Sequence, residues 1–398
     1  MNPLNLKITE KNSNLRKDVF LGSPGELSQE ERNILQLFDG ATQENWEDWR
    51  WQLQNRIRCK EIISRIIELT QEEEEGIDGV GSKLHMSITP YFASLMEKDN
   101  IHCPIRKQCI PTSHEMKVSD EEMVDPCGED SHSPVHGLVH RYPDRVLFLV
   151  SEMCAMYCRF CTRSRMVGDS HRTLNTNTYE KAIEYIKSNK QIRDVLISGG
   201  DPLMLSNELL EHLVKSIKEI PHVEFLRIGT RVPVTLPQRI DQPLIDVLKK
   251  YGPVWMSIHF NHFKEITPRV KVVCDSLADN GIPLGSQTVL LKGINDDPKI
   301  IKRLMHELLK VRVKPYYLYQ CDPIVGSSHF RTPLSVGIKI MENLCGHTTG
   351  YAIPTFVIDT PGGGGKIPVS PNYIVSQENN KYFLRNYEGK QYIHHDPI

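Results

Sequence analysis

The sequence predicts an α/β protein built on a partial (β/α)6 TIM-type barrel, with an N-terminal helical region before it and a C-terminal extension after it. Three observations predict this. From Val146 onward, short apolar runs rich in β-formers alternate with amphipathic helical segments, the pattern of a parallel sheet with right-handed crossovers. The runs number six, two short of a closed barrel, which leaves an open side. Three cysteines crowd the segment after the first run, where barrel loops carry chemistry.

In chain order, residues 1–30 are polar and punctuated by Gly22, Pro24 and Gly25, and predict a loosely ordered leader. Residues 31–144 form a helical region and connector. Trp46, Trp49, Trp51, Leu53, Ile57, Ile62, Ile63, Ile66 and Ile67 recur at helical spacing, and the acidic run Glu72 to Glu75 reads as a solvated face. From about 98 to 144, Pro, His, Asp and Ser predict an extended connector. The core, 145–366, carries strands at Arg145 to Val150, Val195 to Ile197, Val223 to Ile228, Val254 to His259, Leu284 to Leu291 and Pro315 to Tyr319. Helices are expected at Tyr179 to Ser188, Asn207 to Glu219, Gln242 to Lys249 and Pro298 to Val311. Residues 367–398 form the extension.

Composition narrows the function classes. With 48 basic and 50 acidic side chains, net charge −2, there is no electrostatic case for nucleic acid or an anionic membrane as partner. No apolar run reaches 18 residues, and the first residues lack the features of a secretory signal, so a cytoplasmic location is expected. Ten cysteines without a framework spacing suit a reducing compartment.

Cys154, Cys158 and Cys161 have the spacing C-x3-C-x2-C. Three thiolates serve a [4Fe-4S] cluster with one iron left open, unlike an electron carrier, which closes its cluster with a fourth cysteine, or a structural zinc site, which needs four ligands. The motif, on the loop after the first core strand, resembles the signature of the radical S-adenosylmethionine (SAM) enzymes. That resemblance implies that the open iron binds SAM, whose reductive cleavage releases a 5′-deoxyadenosyl radical.

A second signal is Pro361-Gly-Gly-Gly-Gly-Lys366. Four glycines imply close backbone approach or positive φ angles. Ile367 after the lysine breaks the phosphate-loop pattern. Lys366 is either a Schiff-base lysine delivered by this loop or an exposed lysine on a turn. Asp322 follows a strand-like run and Asp359 precedes the glycines; alone, they read as a turn residue and a loop cap.

The block Asp359 to Lys366, the cysteine cluster, His140-Arg-Tyr-Pro-Asp-Arg145, Ile197-Ser-Gly-Gly-Asp201, His259-Phe-Asn-His262, Tyr319-Gln-Cys-Asp322 and His329-Phe-Arg-Thr-Pro333 together resemble the lysine 2,3-aminomutase family, from about Trp46 to Glu388. The resemblance implies pyridoxal 5′-phosphate (PLP) on Lys366, surrounded by Arg141, Tyr142, Arg145 and Tyr319. It implies SAM beside Ser198, Gly199, Gly200 and Asp201, with His259 and Gln287 near it. Arg163 would bind the substrate carboxylate, and Asp322 and Asp359 the distal ammonium of lysine, acids that glutamate-type members replace. The reaction implied is radical migration of the amino group from C2 to C3. It further implies a small-molecule amino acid substrate, an electron donor such as flavodoxin or ferredoxin, and a homo-oligomer.

Two departures stand out. Phe160 lies inside the cluster motif where familiar lysine enzymes have histidine, and no cysteine follows Cys345, so no structural zinc is expected. Competing readings are an aminomutase for arginine or another cationic amino acid, modification of a lysyl group destined for elongation factor P, and a non-enzymatic iron-sulfur or zinc protein.

Overall fold

The computed structural model describes residues 26–79, 84–168 and 174–397. The leader expected up to residue 30 lies outside the described residues as far as residue 25. Within its last positions the helix Gln29–Leu35 begins, closed by a reciprocal Ser28–Glu31 capping box.

Nine strands form one sheet in sequential order: β1 (Leu138–Tyr142), β2 (Arg145–Ser151), β3 (Asp194–Gly199), β4 (Phe225–Thr230), β5 (Val254–His259), β6 (Leu284–Leu290), β7 (Lys314–Gln320), β8 (Thr355–Thr360) and β9 (Gly365–Pro368). Strands β2 to β8 are parallel, and β1 and β9 close the two edges in antiparallel fashion. A single cavity touches side chains from all nine strands, so the sheet wraps around it as an open barrel.

The barrel has one more parallel strand than the six expected. Strand β8, Thr-Phe-Val-Ile-Asp-Thr, is a β-rich run, and its buried Phe356 and Val357 belong to the barrel wall. The expected connector contributes β1, which is short and half polar, and the glycine segment contributes β9.

The crossover helices begin where capping chemistry dictates. Asn175, Ser206, Asp241, Thr267 and Asp297 each accept a first-turn backbone N–H, and proline occupies the first or second helical position after the last three. Each helix buries an apolar stripe, such as Ile301, Leu304, Met305 and Leu308 in Pro298–Lys310. Two helices were not anticipated, Pro268–Asp279 and Leu334–Leu344.

Before the barrel, the helical pattern breaks into short helices. Asp48 ends Gln43–Glu47 and caps Trp49–Gln54, and an Ile57–Ile88 bridge follows. Their apolar faces join the barrel's core through fully buried Trp46, Ile57 and Ile63. The acidic run is not wholly a solvated face. Glu73 is buried and accepts from Arg106 Nε at 2.6 Å, because a fully buried guanidinium needs a counter-charge. After the barrel, β10 (Ile374–Glu378), β11 (Lys381–Arg385) and β12 (Gln391–His395) form a separate antiparallel sheet. Among the described residues, no helix is long and apolar enough to cross a membrane.

Candidate active site

The cysteine loop leaves the end of β2 and is held against the end of β3. Gly200 N donates to Ser151 O at 2.5 Å and Asp201 N to Met153 O at 2.7 Å. Gly199 has φ +135°, and an added Cβ would lie 2.3 Å from Ser151 O. The glycine is therefore required for backbone-to-backbone approach between β3 and the cysteine loop. Ser198, Gly199, Gly200 and Asp201 all line the cavity. The Asp201 carboxylate accepts from Thr230 Oγ1 and Arg231 N, both at 2.7 Å, and burial pushes its pKa up to about 6.

Cys154, Cys158 and Cys161 line the same cavity. Burial raises the Cys154 thiol well above its ordinary value and Cys161 to about 11, with neighbouring thiols adding to both. Three thiols facing one cavity suit a cluster in which each cysteine holds a different iron. Phe160 is buried edge-on against Phe330, ring centroids 5.9 Å apart, in a small apolar cluster with Leu291, Ile294 and Cys321. Further round the barrel, His259 and Gln287 are register partners on β5 and β6, their side chains 2.9 Å apart. Burial pushes His259 down to about 4, so it is neutral at ordinary pH.

On the far side, Pro361 and Gly362 to Gly364 make the turn of the β8–β9 hairpin and Gly365 opens β9, which places Asp359 directly opposite Lys366. Lys366 Nζ donates to Asp359 Oδ2 at 2.7 Å, and Arg141 Nη1 donates to Oδ1 at 3.1 Å. Tyr142 OH accepts from Lys366 N at 2.8 Å, Arg145 stacks over the Tyr142 ring at 4.5 Å, and Lys366 Nζ lies 5.6 Å from the Tyr319 ring centroid. Arg141 Nε is buried without a hydrogen-bond partner. A reactive amine, an orphaned guanidinium donor and two tyrosines fit a cofactor with an aldehyde and a phosphate.

Asp322 lines the cavity near this group. Burial and then the nearby Asp359 charge push its pKa up to about 7. Arg163 lines the same cavity. Its Nε and Nη2 donate to Glu129 at 3.0 and 2.7 Å, leaving Nη1 with only a 3.4 Å contact to Gly199 O. Burial opposes the Arg163 charge, but Glu129 together with Cys127 and Cys161 outweighs it and raises the guanidinium pKa.

The cavity, about 410 Å³, thus brings together every candidate cluster, cofactor and substrate residue named from the sequence. Its lining also includes residues that were not named, among them Glu129, Arg231 and Cys127, whose carbonyl accepts from Arg141 Nη2.

An open α/β barrel whose first loop presents three cysteines to one cavity defines a radical SAM enzyme, and residues 148–304 match the Radical SAM superfamily. Residues 341–397 match the family described as Lysine-2,3-aminomutase. The chain is 53% identical over 353 residues to an L-lysine 2,3-aminomutase of Fusobacterium nucleatum, covering 89% of this chain and 83% of that one. It is 52% identical over 363 residues to the L-lysine 2,3-aminomutase of Clostridium subterminale, covering 91% and 87%. A glutamate 2,3-aminomutase of Clostridioides difficile is 45% identical over 367 residues, covering 92% and 86%. The chain belongs to the lysine 2,3-aminomutase family.

Proposed function

We propose that this chain moves the amino group of L-lysine from C2 to C3, giving β-lysine. The carrying observation is that Asp322 and Asp359 share a cavity with Lys366 and Arg163. Two carboxylates and one arginine match a substrate with a carboxylate at one end and an ammonium at the other, and repel glutamate. The mixed names of the relatives make this distinction the deciding one.

In this reading, Cys154, Cys158 and Cys161 hold the [4Fe-4S] cluster, with SAM against Ser198, Gly199, Gly200 and Asp201 and near His259 and Gln287. Lys366 holds PLP, flanked by Arg141, Tyr142, Arg145 and Tyr319. When bound, these groups supply a hydrogen-abstracting radical and a carbonyl carbon to carry the migrating nitrogen. The chain supplies the placement. Arg163 offers the substrate carboxylate the guanidinium edge that Glu129 leaves free. Asp322 and Asp359 hold the distal ammonium, and with both ends fixed the β-carbon is oriented for hydrogen abstraction. Asp359 Oδ2 also receives the Lys366 Nζ proton contact whenever that amine is free. Barrel side chains such as Val289 and Leu196 line the cavity and keep water from it.

Reduction calls on a one-electron donor such as flavodoxin or ferredoxin. Exposed Ile374, Val375, Tyr392 and Ile393 on β10 and β12 support assembly with further copies. The test is anaerobic turnover of lysine labelled with ¹⁵N at C2, with dithionite, SAM and PLP. Label at C3 of β-lysine is the expected product; unchanged lysine would refute the reading.

A further inference from the structure

Arg231, at the C-terminal end of β4, points its Nη1 at Cys158 Sγ with a separation of 2.7 Å. The contact is built from three separate parts of the chain. Nη2 donates to Gln108 Oε1 in the connector and to Glu265 Oε1 after β5, the latter at 2.9 Å. Gln108 Nε2 donates to the same Glu265 oxygen at 2.9 Å, and the other Glu265 oxygen accepts from Asn261 N at 2.7 Å. The Arg231 backbone N–H is tied to Asp201 at 2.7 Å. Its guanidinium carbon lies 5.7 Å from the ring centroids of both Phe92 and Phe160. Arg231 is 7% exposed and Glu265 is fully buried.

A buried Arg–Glu pair needs no thiol to be neutral. Here the guanidinium spans two negative groups, Glu265 on one side and the cysteine sulfur on the other, and its supports hold it in that position. A hydrogen bond and a positive charge at a cluster sulfur stabilise the form that carries the extra electron, since reduction potential follows hydrogen bonding to sulfur and net local charge. At this separation in a water-poor site, the charge is weakly screened.

We propose that Arg231 is a positioning residue that raises the reduction potential of the cluster through Cys158, with Glu265 setting how much of its charge the cluster feels. This rests on the reading of Cys154, Cys158 and Cys161 as cluster ligands. One electron from a low-potential donor enters the cluster, and no proton or bond change accompanies it.

The test compares full-length wild type, Arg231→Lys and Glu265→Gln after anaerobic iron and sulfide reconstitution. Each is titrated with dithionite in mediator buffer while the reduced cluster is followed by electron paramagnetic resonance. Lysine keeps the charge but loses the planar fork, so the reduced-to-oxidised ratio at a fixed potential falls about tenfold, a shift of roughly 59 mV for one electron. Glu265→Gln removes the counter-charge and moves the potential the opposite way. Unchanged potentials in both variants overturn the proposal. If Arg231→Lys fails to assemble a cluster, Glu265→Gln decides: an upward shift supports the proposal and no shift overturns it. A wild type that takes up no iron and sulfide overturns the cluster reading itself, a result separate from an unchanged potential.

Discussion

Lys366 and Asp359 face each other across the β8–β9 hairpin, Nζ to Oδ2 at 2.7 Å. The acid assigned to the distal ammonium of lysine thus already holds the chain's own amine. In the proposed reading one carboxylate would face two amines, the Lys366 nitrogen whenever it is not joined to PLP and the distal ammonium of bound lysine. Asp359→Asn is therefore expected to weaken lysine binding, and, because its contact with Lys366 exists only while that amine is free, to favour PLP loading. A hydrogen bond to a charged group is worth about 1.5–3 kcal/mol, so each affinity changes roughly ten- to a hundredfold, in opposite directions. Absorbance titration with PLP and KM for lysine measure the two effects separately.

Asp322 titrates near 7 because burial and Asp359 both disfavour its charge. Only the ionised form attracts an ammonium, so KM for lysine rises as pH falls through about 7. Asp322→Asn abolishes that limb and leaves a high, flat KM. The stability effect has the opposite sense. A raised carboxyl pKa means the folded chain holds its proton longer than the unfolded chain, so stability falls as pH rises from the ordinary carboxylate range to about 7. Thermal melts of the variant should lack that fall.

Glu129 orders Arg163 by taking its Nε–Nη2 edge. Glu129→Gln keeps the shape but removes the charge, and KM for lysine is expected to rise about tenfold, near 1.4 kcal/mol, with kcat little changed. Equal losses in kcat and kcat/KM would instead place Glu129 in the chemical step.

Lys366→Ala removes the amine that is to hold PLP. Borohydride reduction of the PLP-loaded wild type should fix a pyridoxyl group on the peptide containing Lys366, and the variant should show none there. Labelling at another lysine would displace Lys366 from its role.

Gly337 in the helix Leu334–Leu344 has no room for a side chain, since an added Cβ would lie 2.1 Å from Phe356 Cζ on β8. Gly337→Ala should cost about 1–3 kcal/mol of stability through overpacking. A lowered Tm with the iron and sulfide content unchanged is the expected result.

What was legible in the sequence is what lies close together along it. The three cysteines span eight positions and the Asp359–Lys366 pair spans one hairpin, so their chemistry shows in a short window. Glu129 meets Arg163 from 34 residues away, and Arg231 meets Cys158 from 73. Glu129 stands among other charged residues, such as Asp125 and Asp130, Arg231 stands alone in an apolar stretch, and no local pattern marks either. Glu73 was hidden in the same way by its acidic neighbours, since its burial depends on Arg106. Strand β8 carries a local signal in its β-rich run Thr355 to Thr360. The parallel barrel is legible without it because alternation over many elements is redundant, whereas an ion pair between distant residues is stated only once, by the fold.

The most direct measurement is a competition. L-lysine, L-arginine and L-glutamate are supplied together at equal concentration to the reconstituted enzyme under anaerobic conditions, and the β-amino acids formed are quantified by mass spectrometry. The account predicts β-lysine as the dominant product, with β-glutamate absent because Asp322 and Asp359 repel its side chain. β-Glutamate as the main product would contradict it.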